Sequence, residues 1–172
     1  RGARTAVGIF HLGGAVIDWF TSYLDGRTQY VRCGPFHSKI LPVLFGVPQG
    51  SVLGPILFLL YTADLLRLIE IRNFHPHLYA DDAQIYGFCR PGSTDDLQGR
   101  LSDCVSDVAS WMRSNRLQLN VAKTEVLWCS SVRRQHQIPI APIMVGATAV
   151  TPVRAVRDLG IYVDCGLIML AH

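Results

Sequence analysis

The spacing of apolar residues along the chain predicts three helices. In each segment the apolar positions recur at helical intervals, and turn or capping residues mark the ends, as Gly26 does after the first segment. The middle segment is apolar nearly all round in its first half, so we expect it to pack beneath a sheet. The predicted helices are Ala15–Leu24, residue 52 to about residue 72, and the stretch from the turn cluster at residues 91–96 to about Asn115. Residues 1–12 show no clear period and predict no element.

Three aromatic residues lie on the apolar stripes of these helices. Trp19 and Phe20 belong to the stripe of the first helix, and Trp111 belongs to that of the third. Side chains on such a stripe face the core of a globular protein. We therefore expect all three rings to be buried.

Runs of β-prone residues between the helices predict hairpins. Two runs flank Gly34 and Pro35, and two more flank the adjacent carboxylates Asp81 and Asp82. The paired runs are residues 27–33 with 38–45 and residues 77–80 with 83–89, and shorter runs follow near 143–145, 149–153 and 159–163. Helices and hairpins in this order predict an α+β fold, in which an antiparallel sheet has helices packed on one face.

Composition fits a single globular domain over residues 1–172. The chain is 49% hydrophobic, which is enough to build a substantial core. Lys and Arg number 16 and Asp and Glu 13, so the net charge is 16 minus 13, or +3, and barely favours a polyanionic partner. The cations after the acidic pair are equally compatible with a nucleic-acid-binding face and with a solvated surface. They include Arg113, Arg116, Lys123, Arg133, Arg134, Arg154 and Arg157.

Cysteine usage and the apolar runs indicate an intracellular protein. The five cysteines are widely spaced without a CxxC pair, which argues against a disulfide framework and a zinc site and suits a reducing compartment. The longest apolar run, residues 52–63, is too short to span a bilayer, and no secretory signal opens the chain. We expect no membrane segment and a location in the cytoplasm or nucleus. The chain begins without Met and in mid-pattern, which indicates a piece of a longer protein.

Asp81 and Asp82 are the first candidate for chemistry. Their place between two strand-like runs puts both at the exposed tip of a hairpin. Adjacent carboxylates repel each other unless cations neutralise them, which points to a divalent metal bound through oxygen. The alternative is an ordinary turn, because Asp also caps local backbone groups.

The second candidate is the Gly- and Pro-punctuated loop that runs into the middle helix. Gln49 offers hydrogen-bond donors and an acceptor, and Gly50 leaves room for a base or sugar. Ser51 is a suitable N-cap for the helix that follows. The loop is therefore expected to bring backbone and one amide side chain close to a ligand.

Three motifs, in this order, resemble the reverse transcriptase domain of non-LTR (LINE-like) retrotransposons. They are GVPQGSVLGPILFLLY from Gly46, YADD from Tyr79 and LNVAKTE from Leu119. The segment WFTSYLDGRTQYV at residues 19–31 is similar as well, and the resemblance runs from about Gly14 to Asp164. It implies that the fold is the polymerase palm. It also implies a single partial domain, in which residues 131–172 form a β-rich end that leads toward a missing thumb.

The resemblance implies RNA-templated DNA synthesis. In this reaction the 3′-hydroxyl of a DNA primer attacks the α-phosphate of a deoxynucleoside triphosphate, and pyrophosphate leaves. Two Mg²⁺ ions, or Mn²⁺ in their place, assist deprotonation and stabilise the charge that develops. The implied partners are the RNA template, the DNA primer, the nucleotide and the remainder of the polyprotein.

Residue roles carry over from the motifs. Asp81 would be the chief metal ligand, and Asp82 would assist or orient it. Tyr79 would brace the turn from the core, with Ala80 beside it in the same motif. All four are roles that the resemblance implies.

The other implied roles concern substrates. Gln49 and Gly50 match positions that contact the template and the incoming nucleotide, and Lys123 matches a lysine near the pyrophosphate. The family supplies a second metal-binding carboxylate from a strand before the first helix; Asp18 and Asp64 lie within predicted helices and do not match it. We therefore expect the 172 residues alone to be inactive. The alternative is a non-enzymatic nucleic-acid-binding or assembly module, derived from a decayed or domesticated retrotransposon.

Overall fold

The computed structural model describes residues 13–167, and this part of the chain contains three α-helices and two short 3₁₀ helices. The α-helices are α1 (Ala15–Leu24), α2 (Gly54–Ile71) and α3 (Thr94–Ser114), and the 3₁₀ helices are Val121–Lys123 and Val132–Gln137. Each α-helix agrees with its predicted position to within a few residues. None of the helices in the described part has the length and apolar character to cross a bilayer.

Ten short strands within residues 13–167 pair two by two. They are β1 (Thr28–Gln29), β2 (Arg32–Cys33), β3 (Phe36–His37), β4 (Leu41–Pro42), β5 (His75–Tyr79), β6 (Asp82–Tyr86), β7 (Ile143–Val145), β8 (Thr148–Val150), β9 (Ala155–Asp158) and β10 (Ile161–Asp164). The pairs are β1 with β4, β2 with β3, β5 with β6, β7 with β8, and β9 with β10. The pairs β1–β4, β2–β3, β7–β8 and β9–β10 are antiparallel.

The α+β prediction is confirmed, but the expected single sheet is replaced by two-stranded sheets in the described residues. The physical reason lies in the strand lengths. Strands of two to five residues offer few ladder hydrogen bonds, so each pairs with a strand close to it in sequence. The palm arrangement and the division into one domain with a β-rich end stay predictions.

Backbone contacts divide the structure into two compact units. The first unit contains residues 13–66 and Leu78–Ala83, and the second contains Arg67–His77 and residues 84–167.

The second unit has a packed core. Along α3 the buried residues Leu97, Cys104 and Val108 recur on one face, and α3 packs against β7, where Ile143 is 1% exposed. Gln98 at the edge of this contact donates from Nε2 to the backbone oxygen of residue 141 at 3.3 Å. The third predicted helix therefore buries only part of its stripe, and the expectation that Trp111 is buried is wrong, since its side chain is half-buried near the end of α3.

The first unit buries much less. Its buried residues Thr62, Ala63 and Leu65 all lie on α2, while α1 is exposed or half-exposed along its whole length. The expectation that Trp19 is buried is wrong, since it is 53% exposed and packs on Phe20 with ring centroids 5.2 Å apart. The physical reason is that, in the described residues, no element covers the apolar stripe of α1. In α2 the predicted burial holds only in part, because Ile56 and Leu59 are each about half exposed.

Candidate active site

The acidic pair lies at the turn between β5 and β6, which confirms the predicted position. Ala80 and Asp81 form the turn, and Asp82 is the first residue of β6. Ala80 has a φ of 52°, in the left-handed region that hairpin turns of two residues use and that residues other than glycine seldom adopt. The turn therefore holds its two carboxylates on a tight and strained backbone.

Both carboxylates are exposed, and within residues 13–167 neither Asp81 nor Asp82 has an ion-pair partner. The described residues contain no group of three or more His, Cys, Asp or Glu side chains that could hold a metal ion. A pair of carboxylates is nevertheless the kind of oxygen donor set that Mg²⁺ uses, because Mg²⁺ keeps several waters and takes further ligands from substrate phosphates. The two carboxylates at the turn thus match the oxygen donors that a divalent cation prefers.

Tyr79 lies beside the turn but outside the core. It is 60% exposed, because alternate residues of β5 face opposite sides and only Pro76 and Leu78 face inward enough to be half-buried. The expected brace from the core therefore has no counterpart in this geometry. Supporting roles for Tyr79 and Ala80 stay predictions.

The Gln49 loop, defined here as residues 46–51, is capped where it meets α2. Ser51 Oγ accepts a hydrogen bond from Gly54 N–H at 3.1 Å and so satisfies the first N–H of α2. Because α2 begins at Gly54, Ser51 lies two residues before the N-cap position that was predicted for it. A Cβ at position 54 would lie 2.9 Å from Ser51 Oγ, so a residue other than Gly54 would force this hydroxyl to shift and would disturb the cap. The cap fixes the point at which the loop enters the helix.

Gln49 and Gly50 are exposed at the outer part of this loop. Gly50 has a φ of +79°, which other residue types seldom adopt, and the space that a Cβ would occupy is open to at least 4 Å. A ligand can therefore approach the backbone at Gly50 closely. The loop and the acidic turn belong to the first unit, and the distance between them stays a prediction.

Arg27 holds the other end of the loop and was missed by the sequence analysis. Its Nη2 donates to the backbone oxygen of Gly46 at 2.6 Å, and its Nε donates to that of Leu24 at 3.1 Å. The signal in the sequence was the arginine of the WFTSYLDGRTQYV segment, whose spacing does not show which carbonyl it reaches.

Lys123 belongs to the second unit. It is exposed at the end of the Val121–Lys123 helix, and its backbone N–H donates to the oxygen of Asn120 at 3.1 Å. The other late cations are exposed as well. The role of Lys123 stays a prediction.

Comparison with known proteins relates the chain to polymerases of mobile elements. It is 30% identical over 159 residues to "Probable RNA-directed DNA polymerase from transposon X-element" of Drosophila melanogaster, covering 88% of this chain and 16% of that protein. It is 25% identical over 157 residues to "RNA-directed DNA polymerase from mobile element jockey" of the same species, again over 88% of the chain and 16% of the relative. The chain thus spans about a sixth of the length of these relatives, and no solved structure matches it.

A family model gives the same result over nearly the whole chain. Residues 4–161 match the model for the reverse transcriptase (RNA-dependent DNA polymerase) domain. The match contains both the acidic turn and the Gln49 loop. The chain belongs to the reverse transcriptase family.

Proposed function

We propose that this chain forms part of the active centre of an RNA-directed DNA polymerase of a non-LTR retrotransposon. The observation that carries the proposal is the pair Asp81 and Asp82, exposed on a hairpin turn in a chain of the reverse transcriptase family. The reaction is attack of a primer 3′-hydroxyl on the α-phosphate of a deoxynucleoside triphosphate, directed by an RNA template. Pyrophosphate is the leaving group.

The two carboxylates concentrate negative charge at one point of the turn. Asp81 is proposed as the chief ligand of a divalent metal, and Asp82 as the residue that assists or orients it. When bound, two Mg²⁺ ions, or Mn²⁺, supply charge neutralisation for the triphosphate and for the oxygens that attack and leave. The absence of competing ion pairs to these side chains among residues 13–167 supports this assignment.

The Gln49 loop is proposed to contact the template and the incoming nucleotide. Gln49 presents an amide that can donate and accept hydrogen bonds, and Gly50 offers open backbone. Lys123 is proposed to lie near the pyrophosphate, where its cation compensates the charge of the leaving group. In this proposal the chain's own groups bind and orient the substrates.

One carboxylate-bearing turn is not a complete two-metal site. The described residues contain no third metal-binding side chain beside the pair, so we propose that a further Asp comes from a strand outside these 172 residues. We propose that the isolated chain is inactive for this reason, and that the complete centre is a polymerase palm. The proposed setting is the cytoplasm or nucleus, with RNA template, DNA primer and deoxynucleoside triphosphates as partners.

The second candidate is a non-enzymatic module for nucleic-acid binding or assembly. The observation that favours it is the large number of exposed apolar side chains in the first unit, such as Val52 at 88% and Phe36 at 77%. Such a surface is typical of contact with another polypeptide. A chain with this role alone would keep its binding when both carboxylates are neutralised.

Primer extension tests the polymerase proposal. The isolated 172 residues should show no extension on an RNA template, and a longer natural polypeptide that adds the upstream Asp strand should show it. In that polypeptide Asp81→Asn should lower the rate about a thousandfold, because a metal supplies several kcal/mol of transition-state stabilisation. The substitution nearly preserves shape and removes charge.

Asp95→Asn is the matched control. Asp95 also belongs to an adjacent acidic pair, but it lies in the first turn of α3, where a helix N-terminus favours negative charge. It should leave the rate of extension within about twofold, since a surface change of this kind costs only ~0.5 kcal/mol. Extension that survives Asp81→Asn would contradict the proposed mechanism.

A further inference from the structure

Arg27 joins three segments of the first unit. Its guanidinium donates to Leu24 O at the end of α1 and to Gly46 O at the start of the Gln49 loop. Its own backbone oxygen accepts a hydrogen bond from Val43 N–H at 2.8 Å. One residue therefore connects the end of a helix, the base of a hairpin and the loop that precedes α2.

The chemistry of these contacts suits arginine better than lysine. A guanidinium is planar and carries several donors in a fixed fork, so it can bond two carbonyls that lie in different directions. The bond to Gly46 O, at 2.6 Å, is short and comes from a charged donor. The third nitrogen, Nη1, is buried without a hydrogen-bond partner in the described part of the chain. The head group is thus partly withdrawn from water, which strengthens the bonds that it does make.

The loop is held at both ends as a result. Arg27 fixes Gly46 at the N-terminal end of the loop, and the hydrogen bond from Gly54 N–H to Ser51 Oγ fixes the C-terminal end. Gly46 has a φ of +75° and Gly50 a φ of +79°, so both positions depend on glycine. Without an anchor at Gly46, a segment with two such permissive residues would sample many conformations.

We propose that Arg27 is a positioning residue for the polymerase reaction. It holds the Gln49 loop so that Gln49 and Gly50 meet the template and the incoming nucleotide in one fixed orientation. The inference rests on the proposed function, because the substrate contacts of the loop belong to that proposal. Arg27 itself needs no contact with the substrate.

Arg32 provides a matched control. It is the same residue type and lies on β2, five residues further along, but within residues 13–167 its Nε donates to the local Gly34 O at 3.1 Å. That contact does not reach the Gln49 loop. A general effect of removing an arginine from this region should therefore appear in Arg32→Ala as well.

The first measurement is hydrogen exchange at the backbone N–H of Ser51, which donates to Pro48 O at 3.1 Å within the loop, in the full-length polymerase that contains this chain. Arg27→Ala should raise exchange there about tenfold, since losing a charge-assisted anchor favours local opening. Arg27→Lys should give an intermediate rise, because an ammonium lacks the fork. Arg32→Ala should leave the loop unchanged. Unchanged loop exchange in both Arg27 variants would overturn the proposal.

The second measurement is steady-state primer extension with varied nucleotide. Arg27→Lys should raise KM for the nucleotide about tenfold with a smaller change in kcat, as expected when a binding loop loses its orientation. Combined with Gln49→Ala, it should add little further loss, because both changes act through the same loop. Fully additive losses would show that Arg27 does not act through Gln49. Arg27→Lys serves here because Arg27→Ala can also weaken folding.

The two measurements separate this inference from the proposed function. Extension that survives Asp81→Asn would remove the polymerase role of the turn. Loop exchange does not depend on activity, so it would still decide whether Arg27 positions the loop. Raised exchange with unchanged kinetics in Arg27→Lys would restrict Arg27 to structure and would overturn its part in the reaction.

Discussion

The second unit encloses a core, whereas the first unit, which carries the acidic turn and the Gln49 loop, leaves most of its large apolar side chains exposed. The second unit buries Ile69, Phe74, Leu97, Cys104, Val108, Ala109, Ile143, Val145 and Val150. Large side chains of the first unit that are at least two-thirds exposed are Val31, Phe36, Leu44, Phe45 and Val52. Both units have apolar residues in quantity, so composition does not explain the difference.

The two units differ in whether another element packs on their apolar surfaces. In the second unit, α3 lies on β7 and both surfaces leave water. In the first unit, burial within the described residues is confined to a short stretch of α2. Extensive exposed apolar surface is typical of a protein interaction site. The chain also spans only about a sixth of the length of the relatives that it matches. We expect the candidate active site to depend on polypeptide outside this chain more than the second unit does.

Truncation of core side chains tests this contrast with the largest expected effect. Ile143→Ala in the second unit should lower the free energy of unfolding by about 2–5 kcal/mol, because Ile143 is 1% exposed. Trp19→Ala in the first unit should cost under about 1 kcal/mol, the scale of a surface change, since the ring is 53% exposed. Denaturant unfolding of the isolated chain measures both.

Equal costs for the two substitutions would break the comparison. A large cost for Trp19→Ala would mean that α1 is packed against a surface after all. Measuring the cost of Trp19→Ala in a longer natural polypeptide makes the comparison of the two units sharper. If the remaining polypeptide covers α1, the cost should rise toward about 3–5 kcal/mol.

Elements that depend on local sequence could be predicted well. The bounds of α1 agree with the predicted ones, because helical periodicity and a terminal glycine are both signals that lie within one short segment. The turn at Asp81 was also found, since two β-prone runs around an acidic pair are a local signal. Burial of an apolar helix face could not be predicted in the same way, because periodicity identifies the face and not the element that packs on it. Trp19 is therefore exposed, and Trp111 is only half-buried.

Contacts between distant residues were the part that could not be predicted. Strand pairing was expected to give one sheet, but strands this short form separate pairs in the described residues. The bond between Arg27 and Gly46 joins residues 19 positions apart and depends on where the backbone places one carbonyl. No periodicity or motif marks such a position. The candidate site was therefore predicted as a set of residues, and its supporting contacts came from the structure.

The rates of cysteine alkylation in the two units should differ by an amount that lies between the effects of the other two tests. Cys33 in the first unit is exposed, whereas Cys104 on α3 is fully buried. Burial, and then the nearby Asp107 carboxylate, raise the pKa of the Cys104 thiol, so less of it is thiolate at pH near 8. Iodoacetamide should therefore modify Cys33 at least about tenfold faster than Cys104. Peptide mass spectrometry over time measures the two rates.

Denaturant provides the control for alkylation, because unfolding should bring the two rates close together. The direction of the pKa shift also fixes a pH dependence. The folded chain favours protonated Cys104, so this contribution to stability is present below the pKa of the unfolded thiol and is lost as pH rises through the folded pKa. Comparable native rates for Cys33 and Cys104 would contradict a packed core in the second unit.

The smallest expected effect concerns the acidic turn itself. Ala80 has a φ of 52°, and a left-handed conformation costs a residue with a Cβ about 1–2 kcal/mol, which glycine avoids. Glycine also has more freedom to lose on folding, so Ala80→Gly should stabilise by at most about 1 kcal/mol.

Ala83→Gly is the matched control, since Ala83 is exposed on β6 of the same hairpin and is not among the residues with positive φ. It should destabilise by about 0.5–1 kcal/mol, as glycine does within a strand. Thermal melts of the two variants should thus shift in opposite directions. If Ala80→Gly lowered stability as much as Ala83→Gly, the turn would not hold Ala80 in a strained backbone, and the carboxylates beside it would be less rigidly placed than the structure indicates.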